Sequence, residues 1–374
     1  MTLDIRPVQS RRDLASFVDF PRRLYFGNPY WVPAMRADEI NTLRHDRNPA
    51  FEFCRARYWL AYDGGRPVGR VASIINPRHA EKWGQPYARF GWLDFIDEPA
   101  VSTALLGTVE DWARAQGMRA LHGPLGFTDL DREGLLVEGF DQLGTLATIY
   151  NHPYYPAHLE AAGFVKDTDW VEYRIEMPAG GVERISRMAD LVARRYNLRV
   201  PEFRHKRDML PYANQLFDLL DEAYSHLYSS TPLTRAQVDA YIRQYFGFIS
   251  PDFVPIVLDA DDRLVAFGIT MPSLSRALQK SRGRLLPFGF LHLLGALRRN
   301  DLADLYLVAV SPRYQGRGVN AMLMDRLLTV FRRFGIRQAE SNPELEDNIN
   351  VQAQWKYFER RQHKRRRCYI KVLD

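Results

Sequence analysis

Residues 302–320 read LADLYLVAVSPRYQGRGVN, and this stretch decides the fold of the second half of the chain. Its first nine residues are apolar enough for a buried strand. Behind the turn, apolar residues recur at helical spacing as far as Gly335, which is placed to end a helix. The stretch therefore predicts a strand, a turn with two glycines, and a helix that begins at the turn.

The glycine turn is either an ordinary surface turn or a binding site for phosphate, and on its letters alone the ordinary turn is favoured. At a helix N-terminus the backbone N–H groups lack partners and the helix dipole is positive, so main chain alone can hold an anion. Gly316 and Gly318 would leave that approach open, while Arg313 and Arg317 would add positive charge. The strand before the turn and the amphipathic helix after it favour the phosphate site.

The charge of the 374-residue chain is distributed unevenly. Its net charge is +6, but residues 1–178 carry 20 basic and 24 acidic side chains, whereas residues 179–374 carry 31 and 21. The halves therefore differ in sign, −4 against +10. This asymmetry indicates an anionic partner for the second half, which can be a phosphorylated cofactor, nucleic acid or a membrane surface.

Composition narrows the class of protein. Hydrophobic residues make up 46% and charged residues 26%, which is typical of a soluble globular protein. The segment MTLDIRPVQSRR lacks the apolar stretch of a secretory signal, and the nearly apolar run 285–297 is too short to span a bilayer. The two cysteines, Cys54 and Cys368, indicate neither a disulfide framework nor a metal site. We expect a cytoplasmic enzyme or binding protein without a metal.

The pattern of elements predicts an α/β fold with mixed sheets, built as two similar units in tandem. A boundary is expected at MPAGG, 177–181, giving domains 1–178 and 179–374, the second with an insertion at 272–300. In the first domain we predict helices at 11–20, 100–116 and 153–162 and strands at 56–63, 67–75, 88–96, 119–123 and 169–176. In the second we predict helices at 208–225, 234–246, 319–334 and 349–360 and strands at 253–259, 263–271, 302–310, 336–341 and 365–373.

The last predicted helix carries a further pattern, NINVQAQWKYFERR, 348–361. On a helix, Asn350 and Tyr357 would share one face about 10 Å apart, because seven residues make nearly two turns. Val351, Trp355 and Phe358 would form a separate apolar stripe suited to the core. Taken alone, Tyr357 would be an ordinary core or surface aromatic.

The combination of RYQGRG with NxxAxxxY, separated by a helix and a strand, resembles the second half of the GCN5-related N-acetyltransferase (GNAT) superfamily. The stretches GPLGFTDLDREGLLVEGFD, YNHPYYPAHLEAAGF, AESNPELEDN and YFERRQHKRRR extend the resemblance to the bacterial ceramide synthase-like group within it. The resemblance implies two tandem GNAT-like acyl-CoA N-acyltransferase domains. Residues 1–178 would then be a degenerate scaffold or acceptor-binding domain, and residues 179–374 the catalytic domain that binds acyl-CoA.

The resemblance also implies roles for single residues. The backbone from Tyr314 to Val319 would hold the pyrophosphate of acyl-CoA, and Tyr357 would protonate the departing thiolate. Asp304 would accept the proton of the amine, although a solvated carboxylate at a strand end fits it equally well, and Glu340 and Glu344 are weaker alternatives. The cofactor-binding residues implied by the resemblance are Val308, Val310, Arg313, Tyr314, Gln315, Gly316, Arg317, Gly318, Val319 and Asn350.

Two regions depart from the superfamily pattern. After the tyrosine the superfamily usually has Gly-Phe, where this chain has Arg361 and Gln362; the basic run 360–367 is either a solvated face or a contact for CoA phosphate or anionic lipid. In the first half, DEPAV (97–101) lacks a glycine pair and places Asp97 and Glu98 where phosphate would lie, so we expect no CoA there. Polar candidates for an acceptor wall are Glu133, Glu138, Asn151, Tyr154, Tyr155 and His158.

The acceptor depends on the insertion and on the resemblance. An apolar helix flanked by arginines suits an interfacial surface or a lid over an acyl chain, and equally a segment packed on the core or on a second subunit. The resemblance favours transfer of a fatty acyl group to the amine of a sphingoid base, with peripheral contact to an anionic membrane. Two alternatives stay open: acetyl transfer from acetyl-CoA to a small polar amine, and non-enzymatic binding of an anion or nucleic acid.

Overall fold

A computed structural model describes residues 2–178, 180 and 182–373; Ala179 and Gly181 of the expected boundary lie outside these residues. The chain forms two compact units. Unit 1 comprises residues 1–171, 274–293 and 363–374, and unit 2 comprises residues 172–273 and 294–362.

The helices and strands are numbered in chain order. Up to the expected boundary they are β1 Leu3–Pro7, α1 Arg11–Leu24, α2 Arg36–Thr42, β2 Arg55–Asp63, β3 Arg66–Ile75, α3 Pro77–Trp83, β4 Tyr87–Phe95, α4 Pro99–Ala115, β5 Ala120–Gly123, β6 Leu135–Glu138, α5 Tyr155–Ala161 and β7 Val165–Glu176. After it they are α6 Glu183–Tyr196, α7 Leu210–Tyr224, α8 Arg235–Tyr245, β8 Ile256–Leu258, β9 Leu264–Pro272, α9 Ser275–Ser281, α10 Gly289–Arg298, β10 Leu302–Val310, α11 Asn320–Phe334, β11 Gln338–Ser341, β12 Glu344–Leu345, α12 Ile349–Gln352 and β13 Arg360–Val372.

Unit 1 is a mixed sheet with helices on it. Its strands lie in the order β1-β2-β3-β4-β5-β13, antiparallel except for the parallel pair β4 and β5. Helix α4 has Pro99 in its first turn, where a missing N–H costs nothing, and buries Val101, Leu105 and Val109 against the sheet. The parallel pair is the point at which a crossover helix is required, and α4 is that helix.

Unit 2 repeats this arrangement. The order is β8-β9-β10-β11 and then residues 172–176 of β7, again antiparallel except for the parallel pair β10 and β11. Helix α11 is the crossover; its Met322 and Leu323 pack with Val192 of α6 and Val265 of β9. The predicted α/β fold with mixed sheets is confirmed.

The two units are not separated by one cut in the chain. The last residues of β7 lie in unit 2, while β13 from His363 onward lies in unit 1, so each unit is completed by a strand from the other half of the sequence. The insertion also departs from the expected arrangement, since its residues 274–293 belong to unit 1. Its α10 has the expected apolar and helical character.

The final strand contradicts the idea of a solvated basic run. β13 begins at Arg360, and Lys364 and Arg366 are each only 1% exposed. Arg365 and Arg367 form ion pairs with the buried Asp169, and Arg366 donates a hydrogen bond to the Ile149 carbonyl. Most of the run is therefore a structural strand of unit 1, which opposes a nucleic-acid contact through it.

Candidate functional site

The site in unit 2 begins where two parallel strands separate. β10 and β11 pair from Leu302 and Gln338 to Leu305 and Ser341, and the Asn342 N–H donates to the Leu305 carbonyl at 3.0 Å. Just beyond, the pairing of β10 with β9 is interrupted by a bulge between Leu305 and Leu307. Among the described residues, no strand pairs with 306–310 on the β11 side. The sheet of unit 2 therefore opens into a cleft at the carboxyl ends of these strands.

The glycine turn lies at the end of the opened strand. Gly316 and Gly318 have φ angles of +70° and +81°, which favour glycine. A Cβ at Gly316 would meet nothing within 4 Å, whereas one at Gly318 would lie 3.2 Å from Val192 Cγ2 on α6. Gly316 thus keeps the outer face of the turn open, and Gly318 allows the close approach of α6.

The backbone of the turn presents unused donors. The amides of Tyr314 and Gln315 donate to the Ser311 carbonyl at 2.7 and 3.1 Å, so they are satisfied within the turn. Within the described parts of the chain, the amides of Gly316, Gly318 and Val319 have no acceptor. Since helix α11 begins immediately after them at Asn320, the turn has the donors and the dipole that an anion requires.

Exposed cations surround these donors. Arg313 and Arg317 are exposed, and the Arg317 guanidinium lies 5.5 Å from the ring centre of Tyr196 and 6.0 Å from that of Tyr314. These rings hold the guanidinium at the turn, because an aromatic face attracts a cation. The prediction that the turn joins β10 to the start of a helix is confirmed, one residue later than expected.

The part of β10 beyond the bulge carries the two residues of this strand that are predicted to contact acyl-CoA. Val308 and Val310 are half-buried and pack against the core under α11. The Val308 carbonyl accepts from the Tyr224 hydroxyl at 3.1 Å, and the Val310 carbonyl accepts from Gln315 Nε2 at 3.1 Å. Tyr224 of α7 therefore reaches the cleft.

Two of the three predicted carboxylates are tied to neighbours. Asp304 is 3% exposed and accepts from the Tyr306 hydroxyl at 3.2 Å, so it is not the solvated carboxylate of the alternative interpretation. Burial and Asp304 together raise the pKa of Tyr306 well above its usual value, which keeps that phenol a donor. Glu340 is paired with Arg174 at 2.8 Å.

The third carboxylate is different. Glu344 lies just beyond β11, is 9% exposed, and accepts at Oε1 from Trp355 Nε1 at 2.7 Å. Its Oε2 is buried without a hydrogen-bond partner in the described structure. Burial raises the pKa of Glu344 to about 7, against the lowering effects of Trp355, Ser341 and Arg360, and burial together with the charge of Glu344 raises the pKa of Tyr224. Glu344 is therefore a candidate for a general base near Tyr224, which contacts the cleft.

The predicted helix 349–360 is wrong in its extent. Helix α12 ends at Gln352, and a 3₁₀-helix continues from Ala353 to Tyr357. Asn350 and Tyr357 are both exposed, Tyr357 by 57%, and the Arg184 guanidinium lies 5.2 Å from the Tyr357 ring centre. The seven-residue spacing of a continuous helix is therefore absent, although Trp355 is buried as expected. Tyr357 keeps an accessible phenol beside a cation.

Unit 1 fills the corresponding region with its own side chains. The Phe95 N–H at the end of β4 donates to the Tyr155 hydroxyl at 2.9 Å, and its carbonyl accepts from the Tyr154 hydroxyl at 2.5 Å. The Asp97 carboxylate accepts a hydrogen bond from His158 Nε2 at 2.9 Å, and α4 starts directly after Glu98. The backbone groups of Phe95 are therefore occupied by hydrogen bonds within unit 1, and the acidic side chains of Asp97 and Glu98 oppose a bound phosphate.

Among the remaining polar candidates of unit 1, Asn151 and Glu138 have structural partners, and Glu133 has a raised pKa. Asn151 is fully buried and hydrogen-bonds both the N–H and the carbonyl of Leu136, while Glu138 pairs with Arg365 at 3.3 Å. Burial and Asp129 raise the pKa of Glu133 to about 8. These contacts favour structural roles for Asn151 and Glu138.

Sequence reasoning missed three side chains at the site of unit 2. Tyr224, Trp355 in its contact with Glu344, and Arg184 beside Tyr357 come from segments that are distant in sequence. Trp355 was expected only as a core residue, and no spacing pattern connects Tyr224 or Arg184 to the turn. Only the long-range packing of unit 2 brings them together.

Comparisons with known proteins agree with this geometry. Residues 213–361 match the model of the acetyltransferase (GNAT) family, a range that contains Asp304, the glycine turn and Tyr357. The chain is 27% identical to Protein YghO of Escherichia coli strain K12 over 378 residues, covering 99% of this chain and 95% of that protein. It is also 27% identical to the bacterial ceramide synthase of Caulobacter vibrioides over 323 residues, covering 84% and 82%.

Solved structures share the fold over the whole length. A tandem GNAT protein from the clavulanic acid biosynthesis pathway superposes with a TM-score of 0.56 at 15% identity, covering 100% of this chain and 99% of that one. A GCN5-related N-acetyltransferase from Sphaerobacter thermophilus gives a TM-score of 0.51 at 11% identity, covering 99% and 96%. Residues 213–361, which contain the open cleft and the glycine turn, therefore match the acetyltransferase (GNAT) family, the whole chain shares the fold of a tandem GNAT protein, and these similarities support an acyl-CoA-dependent N-acyltransferase.

Proposed function

We propose that this N-acyltransferase moves a fatty acyl group from acyl-CoA to the primary amine of a sphingoid base, forming the amide of a ceramide. The observation that carries acyl-CoA binding is the open turn, with three unused amides and exposed Arg313 and Arg317 at the start of α11. The choice of a lipid amine is supported by the similarity to a protein named bacterial ceramide synthase.

The turn binds the pyrophosphate of acyl-CoA. The amides of Gly316, Gly318 and Val319 donate to phosphate oxygens, and Arg313 and Arg317 offset the remaining negative charge. The pantetheine arm follows the unpaired edge of β10 past Val308 and Val310, which places the thioester in the cleft between the separated strands. Asn350 and Tyr357 border the open side.

The reaction is a direct transfer. The amine nitrogen attacks the thioester carbonyl carbon, a C–N bond forms, the tetrahedral intermediate collapses, and the C–S bond breaks to release CoA thiolate. The nitrogen must lose a proton and the thiolate gains one. No covalent enzyme intermediate is required.

Glu344 accepts the proton of the amine, in preference to Asp304. Its pKa of about 7 lets it act near neutral pH, and the Tyr306 hydroxyl donates to Asp304 in the same way as Trp355 donates to Glu344. Trp355 fixes the orientation of the carboxylate through Oε1. Tyr357 donates a proton to the thiolate through its exposed phenol O–H.

The test is release of free CoA by the purified protein. Acetyl-CoA and palmitoyl-CoA are each incubated with a sphingoid base, with a small polar amine, and with no acceptor. Release from palmitoyl-CoA that depends on the sphingoid base supports the proposal. Release from acetyl-CoA with the small amine alone would replace it by acetyl transfer.

A further inference from the structure

A cluster of apolar side chains projects from the surface of unit 1 between α9 and the first turns of α10. Leu286, Phe288 and Leu291 are 79%, 71% and 54% exposed, and Phe290 is 40% exposed. We call these four side chains the apolar ridge. Isolated exposed apolar residues are common, but four large ones within six residues concentrate apolar surface in one short exposed segment, which water does not favour.

The base of the ridge is fixed to unit 1. Gln279 Nε2 donates to the carbonyls of Pro29 and Trp31 at 2.8 and 3.0 Å, and the Arg36 N–H donates to the Gly283 carbonyl at 2.9 Å. The Arg22 guanidinium donates to the Arg282 carbonyl. These bonds anchor the segment that precedes the ridge, so its apolar side chains are held outward rather than carried on a free flap.

The surroundings of the ridge are basic. The part of the sequence that belongs to unit 1 here, 274 to 293, contains no Asp or Glu. Its Arg and Lys side chains are all exposed: Arg276, Lys280, Arg282 and Arg284. Two further exposed side chains, Arg23 and Phe26, follow Arg22 in the sequence, and Phe26 is 79% exposed. An exposed apolar surface whose own segment carries exposed cations matches an anionic bilayer, where apolar side chains enter the acyl boundary and arginines meet phosphates.

A second copy of the chain fits this surface less well. A symmetric dimer through the ridge would bring the same cations of both copies together, and like charges across an interface oppose association. Among the described residues no helix is long and apolar enough to cross a membrane, so the contact to consider is peripheral.

We propose that the apolar ridge and its basic surroundings dock this enzyme onto the surface of anionic membranes. The docking would give the enzyme access to a lipid amine in the bilayer, and only this purpose rests on the proposed function. The docking itself needs no substrate and is measured separately from catalysis.

The experiment is sedimentation of the full chain with vesicles of phosphatidylcholine, with and without phosphatidylglycerol. We expect binding that requires phosphatidylglycerol and weakens with added salt. Leu286→Ser with Phe288→Ser should lower the partition coefficient by at least about tenfold, because two large apolar side chains no longer enter the lipid. Lys280→Gln with Arg284→Gln should lower it by about 25-fold, at about fivefold per charge.

The matched control is Val165→Ser with Val372→Ser, which removes two other exposed apolar side chains, 63% and 70% exposed, from unit 1. It should bind vesicles within about twofold of the unchanged protein. Equal binding by the ridge variant, or binding that ignores phosphatidylglycerol, would overturn the proposal. The proposal would also be overturned if light scattering showed a dimer in solution that the ridge variant dissociates and the control variant does not.

Turnover of octanoyl-CoA with a soluble amine separates the two claims. The ridge variant should keep that rate while losing vesicle binding. If the unchanged protein shows no acyl transfer but still binds anionic vesicles through the ridge, the proposed function fails and the docking surface stands.

Discussion

In the proposed function, Gly316 is the residue on which acyl-CoA binding depends most directly. Gly316→Glu places a carboxylate on the open face of the turn, where phosphate oxygens would lie, so we expect CoA affinity to fall by at least about 100-fold. Isothermal titration with CoA measures this.

The control for that substitution is Gly335→Glu, at the other end of the same helix. Gly335 also has a positive φ, +75°, and equally open space around its Cβ position, so the backbone strain and the added charge are alike. Affinity should be kept in this variant. A Gly316→Glu protein that binds CoA normally would contradict the assignment of the turn.

Tyr357 is predicted to act on the leaving group and not on binding. Tyr357→Phe should reduce kcat by about 100-fold or more, while acyl-CoA affinity changes little, because only the proton donor is lost. Tyr245→Phe, which alters another exposed tyrosine of unit 2, should leave both unchanged. An unaltered kcat in Tyr357→Phe would remove this tyrosine from the reaction.

Glu344 links the rate to pH. Burial raises the pKa of this carboxyl to about 7, above its usual value, so it is protonated and inactive as a base below that pH and active above it. The rate constant kcat/KM should therefore rise with pH to a plateau with a midpoint near 7. Glu344→Gln keeps an oxygen for Trp355 Nε1 but should lower the plateau by about 100-fold and abolish this limb of the profile.

Asp304→Asn is the comparison that decides between the two carboxylates. If Asp304 is structural, its replacement should leave the midpoint near 7 unchanged. A profile that keeps its acid limb in Glu344→Gln and loses it in Asp304→Asn would reverse the assignment.

At the scale of elements, β13 converts a basic run into structure. Arg366 is 1% exposed and hydrogen-bonds the Ile149 carbonyl, whereas Arg361 in the same strand is exposed. Arg366→Ala should therefore lower the free energy of unfolding of unit 1 by about 2 to 4 kcal/mol, and Arg361→Ala by less than about 0.5 kcal/mol. Urea unfolding measures both, and equal midpoints would show that the run is merely a solvated face.

The same elements show what the sequence can predict. β10 and α11 were predicted closely because an apolar run and a clear helical repeat meet at a glycine turn. The helix after Asn348 was predicted too long, because Trp355 packs onto Glu344 and β13 starts at Arg360, contacts that no local pattern contains. The short elements β1, α2, α3, β6 and β12 have too few residues for a periodic signal.

For the whole molecule, the exchange of final strands between the units was beyond sequence reasoning. Val372 pairs with Ala120, and Glu176 pairs with Gln338, so each partner lies in the other half of the sequence. A tandem repeat predicts two similar units but does not say which strand completes which sheet. The predicted domains, 1–178 and 179–374, follow the order of the chain, whereas the two compact units are determined by which strands pair.

The central claim is that this protein joins a fatty acyl group to a lipid amine. The most direct measurement is mass spectrometry of the lipid product after incubation with palmitoyl-CoA labelled in its acyl chain and an unlabelled sphingoid base. We predict a sphingoid amide that carries the label and is absent with Gly316→Glu. Label that remains in palmitoyl-CoA, while acetyl-CoA acylates a small polar amine, would contradict the claim.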